Sequence, residues 1–135
     1  KGLGHTLPAI SGRSTRTIAT TAFDVCADGA LDALVEMRPG EGPLDVIVAG
    51  CETHIGVLHS AIGLRQHGVR VWAALDACGS RSQLSHDLAS ERLRQTGVSI
   101  STVETVAFGW LRTATHPKFR SVQSLVKSSS LPSVR

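Results

Sequence analysis

The sequence has no tyrosine and one methionine, and its three phenylalanines and two tryptophans leave aromatic side chains at only 4%. A surface that stacks unpaired bases sets aromatics among Lys and Arg, and this composition offers little of either pattern. The 14 Lys and Arg outnumber the 11 Asp and Glu by a mild +3, scattered along the chain rather than striped, so no nucleic-acid partner is expected. Three cysteines with no Cys-x-x-Cys spacing exclude a self-contained disulfide framework and a zinc knuckle. They point instead to a reducing compartment inside the cell, cytoplasm or mitochondrial matrix. No apolar run approaches the length of a membrane span, and no secretory signal pattern is visible. The chain opens on Lys1 rather than Met, leaving both processing and an upstream segment open.

What is present is a hydrophobic fraction of 41% over 135 residues, enough to bury one core. Residues 1–16 are rich in Gly, Ser, Thr and Pro and read as loop, with a short strand expected at Thr17–Thr20. Asp24 can cap a helix whose Ala27, Leu31, Leu34 and Val35 recur at helical spacing. Residues 38–43 (RPGEGP) must then be loop. Leu44–Ala49 is a nearly continuous β-branched run, the pattern of a strand covered on both faces. A helix follows from His54 to His67 with Ile55, Leu58, Ala61, Ile62 and Leu64 as its inner stripe and Gly68 at its end. Val69–Leu75 is a second strand, Gln83–Thr96 a second helix ending before Gly97, and Val98–Ser101 a third strand. Thr102 can cap a helix through Thr113, and His116-Pro117 precedes a last one containing Phe119, Val122, Leu125 and Val126. From Lys127 the chain turns Ser-rich, and residues 128–135 read as a disordered tail.

Strand, helix, strand, helix, strand with short links specifies an α/β domain with a parallel sheet and right-handed crossovers. Ligands of such sheets bind at the carboxyl ends of the strands, where strand order reverses. Those ends are Gly50–Thr53 and Asp76–Ser82, which place Cys51 and Cys78 at the expected site.

Val46–Val57 (VIVAGCETHIGV), read with Asp76–Ser82 (DACGSRS), resembles the isochorismatase-like, or cysteine hydrolase, superfamily. The similarity continues through Thr102–Val106 and His116–Phe119, and Lys1–Thr6 resembles a loop of the isochorismatase domain-containing branch. The resemblance spans residues 1–127 as one domain. It implies a three-layer α/β/α sandwich, no cofactor, and a site built from an Asp, a Lys and a nucleophilic Cys. In that pattern the Cys sits at a helix start, where the dipole and the Lys favour its thiolate. A cis peptide and two backbone N–H groups form the oxyanion pocket.

Residue by residue, the resemblance puts Gly56 at the Cys position and Thr20 at the Lys position, three residues before Phe23-Asp24. It puts the pocket at Cys51, Glu52 and Thr53, with a cis bond at Cys51–Glu52 and the amides of Glu52 and Gly56 as donors. The Asp belongs to the first of two strands that would precede this chain, and without them the Leu44–Ala49 strand would expose an open edge. Either an upstream segment or another chain would complete the sheet. Gly56 has two readings. True isochorismatases carry Gly there and protonate a vinyl ether without a covalent intermediate, yet they keep the Lys that Thr20 replaces. The other reading, a lost nucleophile, makes the domain a structural or interaction module, a homo-oligomer or a subunit of a larger assembly.

Away from Gly56, Cys51, Cys78 and Cys26 read as small packed residues. Asp76 with Arg81 reads as a structural ion pair. His54, His59 and His67 do not share a helix face, so no metal site is expected.

Overall fold

The computed structural model describes residues 4–38 and 40–128. Its elements follow from local chemistry. Helix α1 is a single turn, Pro8–Ser11, started by a proline whose fixed φ suits a first helical position, inside the segment expected to be loop. Asp24 caps as expected, its carboxylate accepting the Cys26 N–H at 2.9 Å. The turn it caps, Val25–Asp28, is a 3-10 turn, and Gly29 at φ +82° separates it from α2, Ala30–Glu36. That break resets the helical phase. Ala30 and Ala33 are buried, Leu31 and Leu34 pack only partly, and Val35 is exposed instead of facing inward.

The sheet is parallel with order β1-β2-β3: β1 is Asp45–Cys51, β2 is Arg70–Gly79 and β3 is Ser99–Ser101. Between β1 and β2 the chain makes a π-type turn at Thr53–Val57 and then α3, Leu58–Gln66. Between β2 and β3 lies α4, Gln83–Gln95, capped by Ser82, whose hydroxyl accepts the Ser85 N–H at 3.2 Å. Both helices end in the same six-residue geometry. The N–H groups of Gly68 and Val69 bond the carbonyls of Arg65 and Leu64, and those of Gly97 and Val98 bond Arg94 and Leu93. Gly68 and Gly97 hold φ of +76° and +79°, which residues with a Cβ rarely adopt. The caps also set the core, because Leu64, Val69, Leu93 and Val98 all lie in its buried cluster with Ala61, Val71 and Ala73. Full burial of each leucine contributes about 1.5–3 kcal/mol.

Helix α5, Val103–Leu111, is capped by Thr102 through the Thr105 N–H at 3.2 Å and carries Glu104 in its first turn, where the dipole favours it. Helix α6, Phe119–Ser128, packs on α5 through a tilted Phe108–Phe119 ring pair with centroids 5.7 Å apart. The result is an α/β fold with helices packed on a parallel sheet, α3 and α4 in mutual contact and α5 and α6 paired.

Four expectations change. Thr17–Thr20 is not a strand, because no strand among the described residues offers it a ladder. Among the described residues strand β1 is not covered on both faces, Val46, Ile47 and Val48 being half-buried and Ala49 and Cys51 exposed, and it pairs along one edge only, with β2. For the same reason strand order does not reverse among the described residues. Lys127 and Ser128 are helical, with the Ser128 hydroxyl donating to the Leu125 carbonyl at 3.0 Å. The remainder of the expected tail, 129–135, lies outside the described residues.

Candidate active site

The carboxyl ends of β1 and β2 meet in one polar cluster. Register is set at the far end, where Arg70 forks onto Asp45 with contacts of 2.7 and 2.5 Å. Both side chains are half exposed, so the pair is worth only ~0.2–1 kcal/mol and serves to pin the alignment. Along the strands the ladder runs regularly to Val48↔Ala73, then jumps to Gly50↔Cys78 and Cys51↔Gly79. The extra β2 residues bulge out and bring Asp76 to α5, where its two carboxylate oxygens accept the Val103 N–H at 2.9 and 3.1 Å. Asp76 therefore closes a helix start and does not form the expected pair with Arg81. The Arg81 backbone N–H instead donates to Glu52 Oε2 at 3.0 Å.

The Cys51–Glu52 peptide is cis. Beyond it the Glu52 carbonyl accepts the N–H groups of Ile55 and Val57 at 3.1 and 3.3 Å, which folds the π-type turn back on the strand end. Thr53 is fully buried there. Its hydroxyl donates to the Gly79 carbonyl at 2.9 Å and lies 3.0 Å from His86 Nδ1. A hydroxyl has one proton, so with it spent on Gly79 the oxygen must accept from His86, which assigns the His86 proton to Nδ1. His54 Nδ1 lies 3.0 Å from Ser80 Oγ and 3.4 Å from Glu52 Oε2. Its ring is held between a hydroxyl just after β2 and a carboxylate just after β1, and His54 lines a groove of about 390 Å³ between α3 and α4.

Gly56 lies in the π-type turn, and a Cβ built on it meets no atom within 4 Å. The position matching the nucleophile is therefore open space, not a filled core site. Two of the three thiols are shifted away from reactivity. Burial pushes the Cys78 thiol up, with Cys51 and Asp76 adding to the rise and a hydrogen bond to the Gly50 backbone opposing it. Burial, reinforced by the charge and hydrogen bond of Asp24, pushes Cys26 up to about 11. Cys51 is exposed, and its sulfur lies over Gly79, where an added Cβ would be 3.3 Å away. It precedes the cis bond and so stands outside the turn that carries Gly56.

Thr20 is exposed in an irregular segment and makes no hydrogen bond to this cluster. What anchors its segment is the next residues. Thr21 and Ala22 donate backbone N–H groups to Asp28 Oδ2 at 2.8 and 2.9 Å, and these bonds hold the Asp28 carboxyl below its usual range. The Phe23 carbonyl accepts the Ser60 hydroxyl at 3.1 Å. Asp24 then sits over Gly63, where an added Cβ would collide with its carboxylate. Ser80 lies in the Asp76–Ser82 turn that the sequence marked as a strand end, whereas nothing in the sequence singled out His86; only the packing of α4 places it in the cluster. His59 is exposed on α3 beside the Phe23 ring. Among the described residues, no three His, Cys, Asp or Glu side chains are grouped to hold a metal ion.

The sequence profile of the isochorismatase domain matches residues 6–105. The chain belongs to the isochorismatase domain family. Isochorismatase domain-containing protein 2 of Bos taurus is 36% identical over 132 residues, covering 96% of this chain and 62% of that protein. The Homo sapiens protein of the same name is 33% identical, covering 94% and 60%. The chain thus spans about three fifths of the length of the curated relatives it matches. Among solved structures, the MAR1 ribonuclease of Caenorhabditis elegans superposes with a TM-score of 0.80 at 30% identity, covering 95% of this chain and 65% of that one. The nicotinamidase SaPncA of Staphylococcus aureus superposes with a TM-score of 0.55 at 26% identity, covering 63% and 52%. Within this isochorismatase domain the profile match takes in both strand ends, the cis bond and Gly56.

Proposed function

We propose that this isochorismatase domain is catalytically degenerate and serves as a structural or interaction module, as a homo-oligomer or a subunit of a larger assembly, in a reducing compartment. The observation that carries the reading is Gly56. The one position of the turn that would present a nucleophile holds no side chain. No thiol substitutes for it, since Cys26 and Cys78 are held protonated and Cys51 lies before the turn. Thr20 supplies no positive charge to stabilise an anion. Three free thiols, one of them exposed, support the reducing compartment.

A second reading has its own support. The cis Cys51–Glu52 bond and the open space over Gly56 retain the backbone of an oxyanion pocket. A small-molecule hydrolase could use it with an Asp carried outside this chain, polarising a bond without a covalent step. The test is an assay of the intact protein on vinyl-ether and amide substrates. The module reading expects no turnover above buffer. Turnover that disappears when the Asp supplied from outside this chain is replaced by Asn would overturn it in favour of the hydrolase.

A further inference from the structure

Three side chains at the strand ends have the elements of a nucleophile and its base, and neither reading of Gly56 uses them. Ser80 stands between β2 and α4, half-buried, and its Oγ lies 3.0 Å from His54 Nδ1. Glu52 Oε2 lies 3.4 Å from the same nitrogen. Glu52 is itself fixed, since its Oε2 accepts the Arg81 N–H at 3.0 Å. A hydroxyl within hydrogen-bond reach of an imidazole that a third group orients is the arrangement by which proteins activate serine. The acid here does not hold the far ring nitrogen, as in a Ser-His-Asp triad; it flanks the nitrogen that faces the hydroxyl. With the ring proton on Nε2, His54 Nδ1 is free to accept the Ser80 proton. The imidazolium that results has the Glu52 carboxylate beside its new proton. Helix α4 starts three residues after Ser80, and the N–H groups of Gln83 and Leu84 make no hydrogen bond within the described residues. That helix start favours negative charge developing nearby.

We propose that Ser80 is a nucleophile that accepts an acyl group from an activated carboxylic ester or thioester, with His54 as its general base. Ser80 Oγ bonds to the carbonyl carbon while its proton passes to His54 Nδ1 and the carbonyl electron pair moves to oxygen. As that pair returns, the bond from carbon to the leaving oxygen or sulfur breaks, and the leaving group takes the proton from His54. Atoms and charge balance with no further reactant. The products are one O-acyl serine per chain and an alcohol or thiol. His54 also lines the groove that contains Leu58, Leu88 and Ala89, so an apolar acyl group is favoured. The proposal goes beyond the module reading. It concerns a stoichiometric modification, and it needs neither a side chain at Gly56 nor an Asp from outside this chain.

The chain spans about three fifths of its curated relatives, and the remaining length has room to lie over Ser80, so the intact protein is the reagent. With para-nitrophenyl acetate and hexanoate, a burst of about one nitrophenol per chain is expected, faster with the hexanoate. Mass spectrometry after trypsin should place the acyl group on residues 71–81, whose one serine is Ser80; Ser82 falls on the next peptide. Ser80→Ala should abolish the burst, and His54→Gln should slow it at least ~100-fold. Glu52→Gln should slow it about tenfold. Ser80→Cys gives an independent readout. Its thiol should react with iodoacetamide faster than the exposed Cys51, and adding His54→Gln should remove that advantage. Circular dichroism confirms that each variant is folded. Acylation at another residue, no burst from the intact protein, or a burst indifferent to His54→Gln would overturn the proposal. So would a burst that survives Ser80→Ala but disappears when the outside Asp is replaced by Asn, which belongs to the hydrolase reading. Acylated Ser80 with no turnover of vinyl ethers or amides leaves this proposal and the module reading standing; Asp-dependent turnover beside acylated Ser80 sinks the module reading alone.

Discussion

Replacing Gly63 by alanine tests how the segment carrying the Thr20 position is held against the site. Alanine is the better helix former by about 1 kcal/mol, so on propensity alone Gly63→Ala should stabilise α3. The structure opposes that gain. The added methyl would occupy the space of the Asp24 carboxylate, which caps the Val25–Asp28 turn by accepting the Cys26 N–H at 2.9 Å. Either Asp24 swings aside and loses its cap, typically ~1 kcal/mol, or it stays and the contact is overpacked by ~1–3 kcal/mol. Set against the propensity gain, the net runs from about zero to a loss of about 2 kcal/mol, or a fall of up to roughly 6–8 °C in Tm for a domain of this size. The assay is urea unfolding of the intact protein for the wild type, Gly63→Ala, Asp24→Ala and the double variant. In the Asp24→Ala background the obstruction is gone, so Gly63→Ala should become stabilising by up to about 1 kcal/mol. The coupling between the two sites should therefore be at least ~1 kcal/mol. A stabilising Gly63→Ala in the wild type, or additive effects, would refute the packing of Asp24 on α3.

Three further outcomes are expected. Gly56→Cys should fold with a stability change under about 1 kcal/mol, because its side chain meets open space, and its thiol should react with iodoacetamide at neutral pH; loss of folding would contradict the open site. Among the native thiols, peptide mass spectrometry after alkylation at neutral pH should find exposed Cys51 modified first, with Cys26 and Cys78 protected by their raised pKa values. Since folded Cys26 titrates near 11 and an unfolded thiol near ~8.5, its contribution to stability is complete below the lower value and is lost as pH rises toward the upper, a fall that Cys26→Ala should flatten. Asp28 has the opposite sign. Its carboxyl is held low in the fold by the Thr21 and Ala22 N–H groups, so its stabilisation is present above ~pH 4 and is lost as pH falls through the lowered value. Asp28→Ala should show a shallower acid-side decline in Tm; an unchanged acid limb would count against those bonds.

Much of the fold was legible because its signals are local. The Asp24 and Thr102 caps and the glycines after α3 and α4 act within one helical turn, and each appears where the sequence put it. Three apolar runs with helices between them specified the parallel sheet. The misreadings share a different cause. Val35 turned outward because a 3-10 turn and Gly29 shifted the helical phase, an adjustment that periodicity counting cannot register. Thr17–Thr20 looked like a strand by composition, but a strand exists only where a neighbour supplies hydrogen bonds.

The site divides along the same line. By its own residues the sequence shows only that Gly56 bears no thiol and Thr20 no charge, while its motif resemblance gave those positions their meaning and anticipated the cis bond at Cys51–Glu52. Only the tertiary structure decided what surrounds them. It carried Asp76 away from Arg81 to the start of α5, brought His86 of α4 onto the buried Thr53 hydroxyl, and left the space over Gly56 empty. Backbone conformation and capping depend on a few consecutive residues, and so they are written in order along the chain. Which side chains meet at the strand ends depends on register, a bulge in β2 and helix packing, all set by residues far apart in sequence.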